Sequence, residues 1–262
     1  MKFLRHAILF SLAIMCANVA DGSPELYVLQ NGLGFGSMED EAKELSSLGY
    51  AGVSQVSATP EKLREMVEAY REEGLRVRSI YMDVGDVPVD IRKLEAVAAS
   101  GAMVELTVKK MEPVTVESVR GICEAAERLG MHVALYPHHG YAVATMPQAM
   151  DLIAKVNHPH LGVMFNLCHF LQGEKPADLG KVIKEAGDRL FAVSVSGADE
   201  GGKDWGALIK PLDQGDFPLE QLLEILEKED FQGPISLQCY GVPGDKRKNL
   251  ERSIAAWKKL SE

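Results

Sequence analysis

The chain has 262 residues, 46% hydrophobic and 25% charged, with 24 Gly and 12 Pro, a globular composition long enough for one large core. Its formal net charge of −10 argues against a nucleic-acid partner, which calls for a basic footprint. No low-complexity tract or long like-charge run divides the chain, so one domain is expected.

The first 22 residues stand apart. Lys2, Arg5 and His6 precede an apolar stretch over residues 7–16, followed by mostly small or polar residues through Gly22. This is the layout of a secretory signal peptide cut after Ala20 or Gly22, and the apolar stretch is too short to span a bilayer. Residues 1–22 are therefore read as a leader and 23–262 as the mature domain, secreted or periplasmic with no membrane span. An ordinary amino-terminal helix is the rival reading.

From Leu26 onward, eight strand-like apolar runs alternate with helix-like stretches. The runs cover residues 26–31, 50–56, 75–82, 102–108, 131–137, 160–166, 190–196 and 234–239. Between them lie segments of helical period such as 60–73 and 115–130, several closing on Gly. Alternating βα units imply a parallel sheet with helices outside. Eight units over roughly 235 residues fit a single closed (β/α)8 barrel of the α/β class, commonly about 250 residues, in preference to a doubly wound open sheet. Such barrels carry their active sites at the carboxyl ends of the strands.

Four strand ends hold the chemically useful residues. Tyr136-Pro137-His138-His139-Gly140 follows the fifth run and Asn166-Leu167-Cys168-His169-Phe170 ends the sixth. The seventh run leads into Ser196-Gly197-Ala198-Asp199, with Trp205 close behind, and the eighth ends Gln238-Cys239-Tyr240-Gly241. Polar residues that interrupt apolar strands cost desolvation unless a ligand, a metal or a hydrogen-bond network satisfies them.

The strand ending YPHHG, the run HPHLGVMFNLCHF, the SGAD turn, PLDQGDF and the ending GPISLQCYG resemble the sugar phosphate isomerase/epimerase group, whose fold is the xylose isomerase-like TIM barrel. The resemblance covers nearly the whole mature chain. It implies a divalent metal held by Glu, Asp, His and Glu at the ends of strands five to eight, the two Glu also shuttling protons. This sequence has Tyr136, Asn166, Ser196 (or Ser194, two residues earlier on the same face) and Gln238 at those places. Hard divalent ions want carboxylate oxygens, so the usual metal site and its two-Glu relay are expected to be absent. His138 and His169 keep accessory positions of the family motif, where such His face substrate.

His138 and His169 are accordingly the leading proton-transfer candidates, expected to flank the reacting carbon, with His139 a weaker one. Glu105, inside the fourth run beside Thr107, is the main carboxylate candidate; burial would raise its pKa, and a salt bridge to Lys109 or Lys110 is the structural alternative. Asp83, after the third run, is a weaker carboxylate candidate, and Asn31, Tyr136, Asn166, Ser196, Asp199, Trp205 and Gln238 are candidate substrate contacts. Cys168 is a remote candidate nucleophile. After leader removal Cys123, Cys168 and Cys239 remain, with no CxxC spacing, and are read as buried thiols.

No cofactor is predicted; if a divalent transition metal binds, His138 and His169 would be its ligands. The expected partner is a small-molecule sugar or glycoside. The expected chemistry is isomerisation, epimerisation or β-elimination next to a carbonyl. A non-catalytic carbohydrate-binding barrel and a glycosidase built on Glu105 and Asp199 are the rivals, and the sequence is silent on oligomeric state.

Overall fold

A computed structural model describes residues 24–84 and 90–261, so the leader expected over residues 1–22 lies outside the described residues. Among these residues nine strands form one parallel sheet: β1 (Leu26–Leu29), β2 (Gly52–Ser54), β3 (Arg76–Val77), β4 (Ser79–Val84), β5 (Met103–Val108), β6 (Val133–Leu135), β7 (Leu161–Asn166), β8 (Leu190–Val195) and β9 (Ile235–Leu237). The order β3-β2-β1-β9-β8-β7-β6-β5-β4 returns to its starting point, because β3 and β4 are one sequence run interrupted at Arg78. The Arg78 N–H donates to Val53 on one side and its C=O accepts from Met103 on the other, at 2.7 and 2.9 Å. A parallel bridge from Val56 to Ile80 completes the ring. The nine strands are therefore the eight expected runs, closed into a (β/α)8 barrel.

Among the described residues ten helices accompany the strands: α1 (Met38–Leu48), α2 (Pro60–Glu72), α3 (Arg92–Val97), α4 (Thr115–Arg128), α5 (Met146–Val156), α6 (Leu167–Gly173), α7 (Leu179–Ala186), α8 (Trp205–Leu208), α9 (Leu219–Lys228) and α10 (Lys246–Leu260). Local chemistry sets their starts. Ser37 and Thr145 form capping boxes with Asp40 and Gln148, and Thr59, Asp204 and Asp245 cap α2, α8 and α10. Among the described residues, no helix is long and apolar enough to cross a membrane.

Strand alternation separates two apolar layers. In β5, Val104, Leu106 and Val108 join the large core between barrel and helices, while Met103 packs inside the barrel with Ala134, Tyr136, Met164 and Ala192. Close strand approach demands small residues. Gly52 sits at φ +142, and a Cβ there would stand 1.9 Å from the Arg76 carbonyl oxygen, so only glycine fits where β2 meets β3.

The carboxyl ends of the strands are braced from outside. The buried Glu41 carboxylate accepts from Tyr70 Oη at 2.8 Å, Gly34 N at 3.2 Å and Gln30 Nε2 at 3.3 Å, fixing the turn that carries Asn31. The loop after β8 is tied down by an antiparallel Gly197–Lys210 bridge and an Asp199–Lys210 ion pair.

Candidate active site

A cavity of about 540 Å³ opens at the carboxyl ends of the strands. Its walls are Asn31, Gln55, Ser57, Tyr81, Tyr136, His138, His169, Trp205, Gly206, Ile209, Gln238, Tyr240 and Gly241. This set contains no Asp, Glu, Lys or Arg.

The two imidazoles define the reactive wall. β6 ends at Leu135, and the chain turns sharply through His138 to Tyr141, with Tyr141 N–H on the His138 carbonyl at 3.0 Å and Gly140 at φ 85. α6 starts directly after β7, so Asn166 is at once the last strand residue and the helix cap. That abrupt start places His169, one turn in, against the His138 ring, with centroids 4.1 Å apart and planes tilted by 41°. His138 also stacks on Tyr141 at 4.1 Å.

The peptide groups of His139 settle the tautomers. The His139 N–H donates to His169 Nδ1 at 3.2 Å, so Nδ1 is bare there and Nε2 carries the proton. The His139 carbonyl lies 2.9 Å from His138 Nδ1 and can only accept, so that Nδ1 is protonated and His138 Nε2 keeps its lone pair. One residue thus presents a base on one ring and a donor on the next. Burial drives the His169 pKa down to about 3, with the neighbouring His138 and His139 adding to the effect. Burial also lowers that of His138 below the usual 6.5. Both rings are neutral at pH 7. Because they touch, they stand on the same side of whatever they bind, and the expectation that they flank a carbon does not hold.

Tyr136 forms the floor beside them. Its Oη accepts from Asn166 Nδ2 at 2.9 Å, and burial raises its pKa well above 10, leaving a neutral phenol. Asn166 Oδ1 accepts from Cys168 Sγ at 3.0 Å and from His169 N–H at 3.4 Å. Asn166 therefore organises the floor from behind Tyr136 and is not a wall residue. Gln55 is 4% exposed and sits at φ 57, the left-handed region that non-glycine residues rarely occupy. Its N–H donates to Ser79 Oγ at 2.8 Å.

Of the residues expected from the sequence, His138, His169, Asn31, Tyr136, Trp205 and Gln238 meet in the cavity. Glu105 does not reach its wall. It lies deeper in the barrel, 2% exposed, with Oε1 accepting from Ser79 Oγ at 2.6 Å and Oε2 buried without a partner. Burial raises its pKa to about 7, against the pull of the Ser79 hydroxyl and the nearby Gln55 amide. Lys109 pairs with Asp83 at 2.7 Å, so the salt bridge that would have explained Glu105 is not made by that lysine. Ser196 is fully buried and its Oγ donates to the Leu208 carbonyl at 2.9 Å, and the Asp199 carboxylate is taken by Lys210; both stand outside the wall. A glycosidase pair of Glu105 and Asp199 therefore has no common cavity. Cys168 is buried, and burial pushes its thiol up to about 12, which removes it as a nucleophile. Gln55, Ser57, Tyr81, Ile209 and Tyr240 are wall residues that sequence reasoning missed.

The family's metal positions can be tested against these contacts. Asn166 Oδ1 is engaged by Cys168 and His169, and Gln238 Oε1 accepts from Tyr240 N–H at 3.0 Å. Ser194, level with Asn166 and Ser236 in the sheet register, has a buried hydroxyl without a partner. No group of three or more His, Cys, Asp or Glu converges as a metal cluster among the described residues. This uncharged, largely committed donor set does not fit a hard divalent ion.

Fold and site together define a (β/α)8 barrel protein with an imidazole pair at the carboxyl-end cavity. The chain belongs to the xylose isomerase-like TIM barrel family, whose sequence model matches residues 97–260. No curated protein sequence matches it. Among solved structures it is similar to a 3-keto-D-glucoside 4-epimerase from E. coli, with 17% identity, coverage of 90% of this chain and 99% of that one, and a TM-score of 0.72. It is also similar to a D-allulose 3-epimerase from Methylomonas sp. (14% identity, 92% and 98% coverage, TM-score 0.70). A probable 3-DHS dehydratase from Bacillus anthracis gives 15% identity, 91% and 99% coverage and a TM-score of 0.70.

Proposed function

We propose that the protein is an exported enzyme that moves a proton next to the carbonyl of an uncharged ketose or keto-glycoside, without the family's hard metal ion. The observation that carries this reading is the imidazole pair held in opposite tautomers by the His139 peptide groups. Structural relatives named for a 3-keto-D-glucoside and for D-allulose support a carbohydrate substrate. The uncharged wall offers nothing to neutralise a phosphate, which disfavours sugar phosphates.

His138 Nε2 takes a proton from the carbon next to the carbonyl; the C–H electron pair becomes the C=C of an enolate, and the carbonyl π pair moves onto oxygen. His169 Nε2–H, with the hydroxyl groups of Tyr81 and Tyr136 on the same cavity, donates toward that oxyanion in place of a metal. The His138 imidazolium then returns its proton to the former carbonyl carbon while the hydroxyl proton of the deprotonated carbon passes to the oxyanion and a new C=O forms there, giving isomerisation, or to an oxygen whose C–O bond breaks at the β-carbon as the enolate collapses to an enone, giving elimination. Both routes need proton transfer on one face only. Asn31, Gln55 and Ser57, which come from the β1 and β2 ends across the ring, provide no second base for inversion.

A panel of ketoses and keto-glycosides assayed after exhaustive chelation tests this. Turnover that survives chelation is expected; turnover restored only by Mg or Mn, or sugar binding with no reaction, would overturn it.

Three further results are expected. Elemental analysis of dialysed protein should find no stoichiometric Mg or Mn, and the double variant Asn166→Asp, Gln238→Glu should bind divalent ions more tightly than the parent, since carboxylates restore the charge those ions require. Equal ion affinity in parent and variant would count against the alignment of these positions. The amino terminus of exported protein should begin near Asp21 or Ser23, as the basic start and short apolar stretch imply. An intact Met1 in a cytoplasmic fraction would refute export.

A further inference from the structure

The outer part of the cavity has a different character from the reactive wall. Trp205 and Tyr240 are 41% and 60% exposed, two of the five exposed large hydrophobic side chains among the described residues, and both line this cavity. Large aromatic rings left in water beside a cavity mark a binding surface more often than a packing need. Their loops are built to hold them. Asp204 caps α8 through the Ala207 N–H at 2.9 Å, fixing Trp205 edge-on to His169 at 5.1 Å. The Tyr240 N–H is held by Gln238 Oε1 at 3.0 Å. Beside these rings the wall adds Gly206, Ile209 and Gly241, so the polar side-chain groups contributed by these residues are the Trp205 indole N–H and the Tyr240 hydroxyl.

We infer that Trp205, Ile209 and Tyr240 form a subsite for a flat, apolar aglycone of the glycoside whose sugar ring lies against His138 and His169. The inference rests on the keto-glycoside reading above and narrows its substrate class. A cavity of about 540 Å³ lies within the ~300–1,000 Å³ range of sites that take ligands larger than one sugar ring. A second sugar would bring several hydroxyl groups to a wall where the Trp205 N–H and the Tyr240 hydroxyl are the polar partners these residues offer, and unpaired buried hydroxyl groups are costly. An aromatic aglycone brings none and gains stacking on Trp205 or Tyr240.

The test compares kcat/KM for a phenyl keto-glucoside, a methyl keto-glucoside and a keto-disaccharide in the parent, Trp205→Ala and Tyr240→Ala. The phenyl compound should be favoured over the methyl one by about tenfold or more in the parent, a scale set by one buried apolar group. That ratio should fall toward one in both variants, and Trp205→Phe should keep most of it. A parent that turns over all three but favours the methyl compound or the disaccharide overturns the subsite and leaves the enzyme reading intact. If nothing turns over, the enzyme reading fails, and calorimetry with unoxidised phenyl and methyl glucosides decides the subsite alone. Tighter phenyl binding that is lost in Trp205→Ala supports it, and equal binding of the two rejects it.

Discussion

Replacing His138 with Gln should lower turnover of a ketose or keto-glycoside by about 10²–10⁴, the usual loss for a general base, while leaving substrate binding near the parental level. The effect is specific to Nε2, because Nδ1 is already committed to the His139 carbonyl. His169 acts differently. Its Nε2–H is a donor, so His169→Leu should cost about 10²–10³, as losing an oxyanion donor does, and His169→Gln, which keeps an N–H, should cost less. The pH–rate profile separates the two rings. The base must be neutral, so activity is flat at neutral pH and falls as pH drops through the His138 pKa, which burial has lowered below 6.5. His169, held down to about 3, adds nothing to that limb until far lower pH. Steady-state kinetics from pH 4 to 8 would show this. An acid limb centred above 6.5, or equal losses for His169→Gln and His169→Leu, would contradict these assignments.

Glu105→Gln should stabilise the protein at alkaline pH. In the fold this carboxyl titrates near 7 and in the unfolded chain near 4.5, so the unfolded state loses its proton first as pH rises. Stability from this group is therefore full below about 4.5 and is lost as pH rises to about 7, a loss of about 3 kcal/mol at higher pH. A neutral amide of the same shape escapes that loss and can still accept from Ser79. Melting at pH 8.5 should rise by roughly 6–12 °C in the variant, at about 2–4 °C per kcal/mol, with little change at pH 4.5. The same difference at both pH values would show that Glu105 is not a buried acid of raised pKa. His169 has the opposite sign. Its depressed pKa means stability is lost as pH falls from 6.5 toward 3. Together the two groups confine maximum stability to the region between.

The eight runs were legible because buried parallel strands read as near-continuous apolar stretches separated by helical period. The interruption at Arg78 was not, since its backbone serves two different neighbours within one run, residues 75–82, that holds no Gly or Pro to mark a break. Within strands, the period of two gives the face but not the depth. Glu105 is level with Tyr81 in the sheet register, yet of the two only the long tyrosine side chain reaches the cavity wall. Ser194 and Ser196 pose the same question: one is level with Asn166, and the other is consumed by the α8 loop. Asp199 looked available because its partner, Lys210, lies eleven residues on in a loop with no periodicity to read. Gln55 and Tyr81 could have been found as polar groups near the ends of apolar runs, the signal that found Asn166 and Gln238. That the two His touch was out of reach, for it depends on α6 starting without a linker after β7.

Same-face proton transfer by His138 is tested most directly by incubating the chelated protein with a methyl 3-keto-glucoside in D2O and locating deuterium by NMR. The parent should place deuterium on the carbon next to the carbonyl, and His138→Gln should bind the compound yet place none. Binding without exchange in the parent, or exchange at the parental rate in His138→Gln, would contradict it.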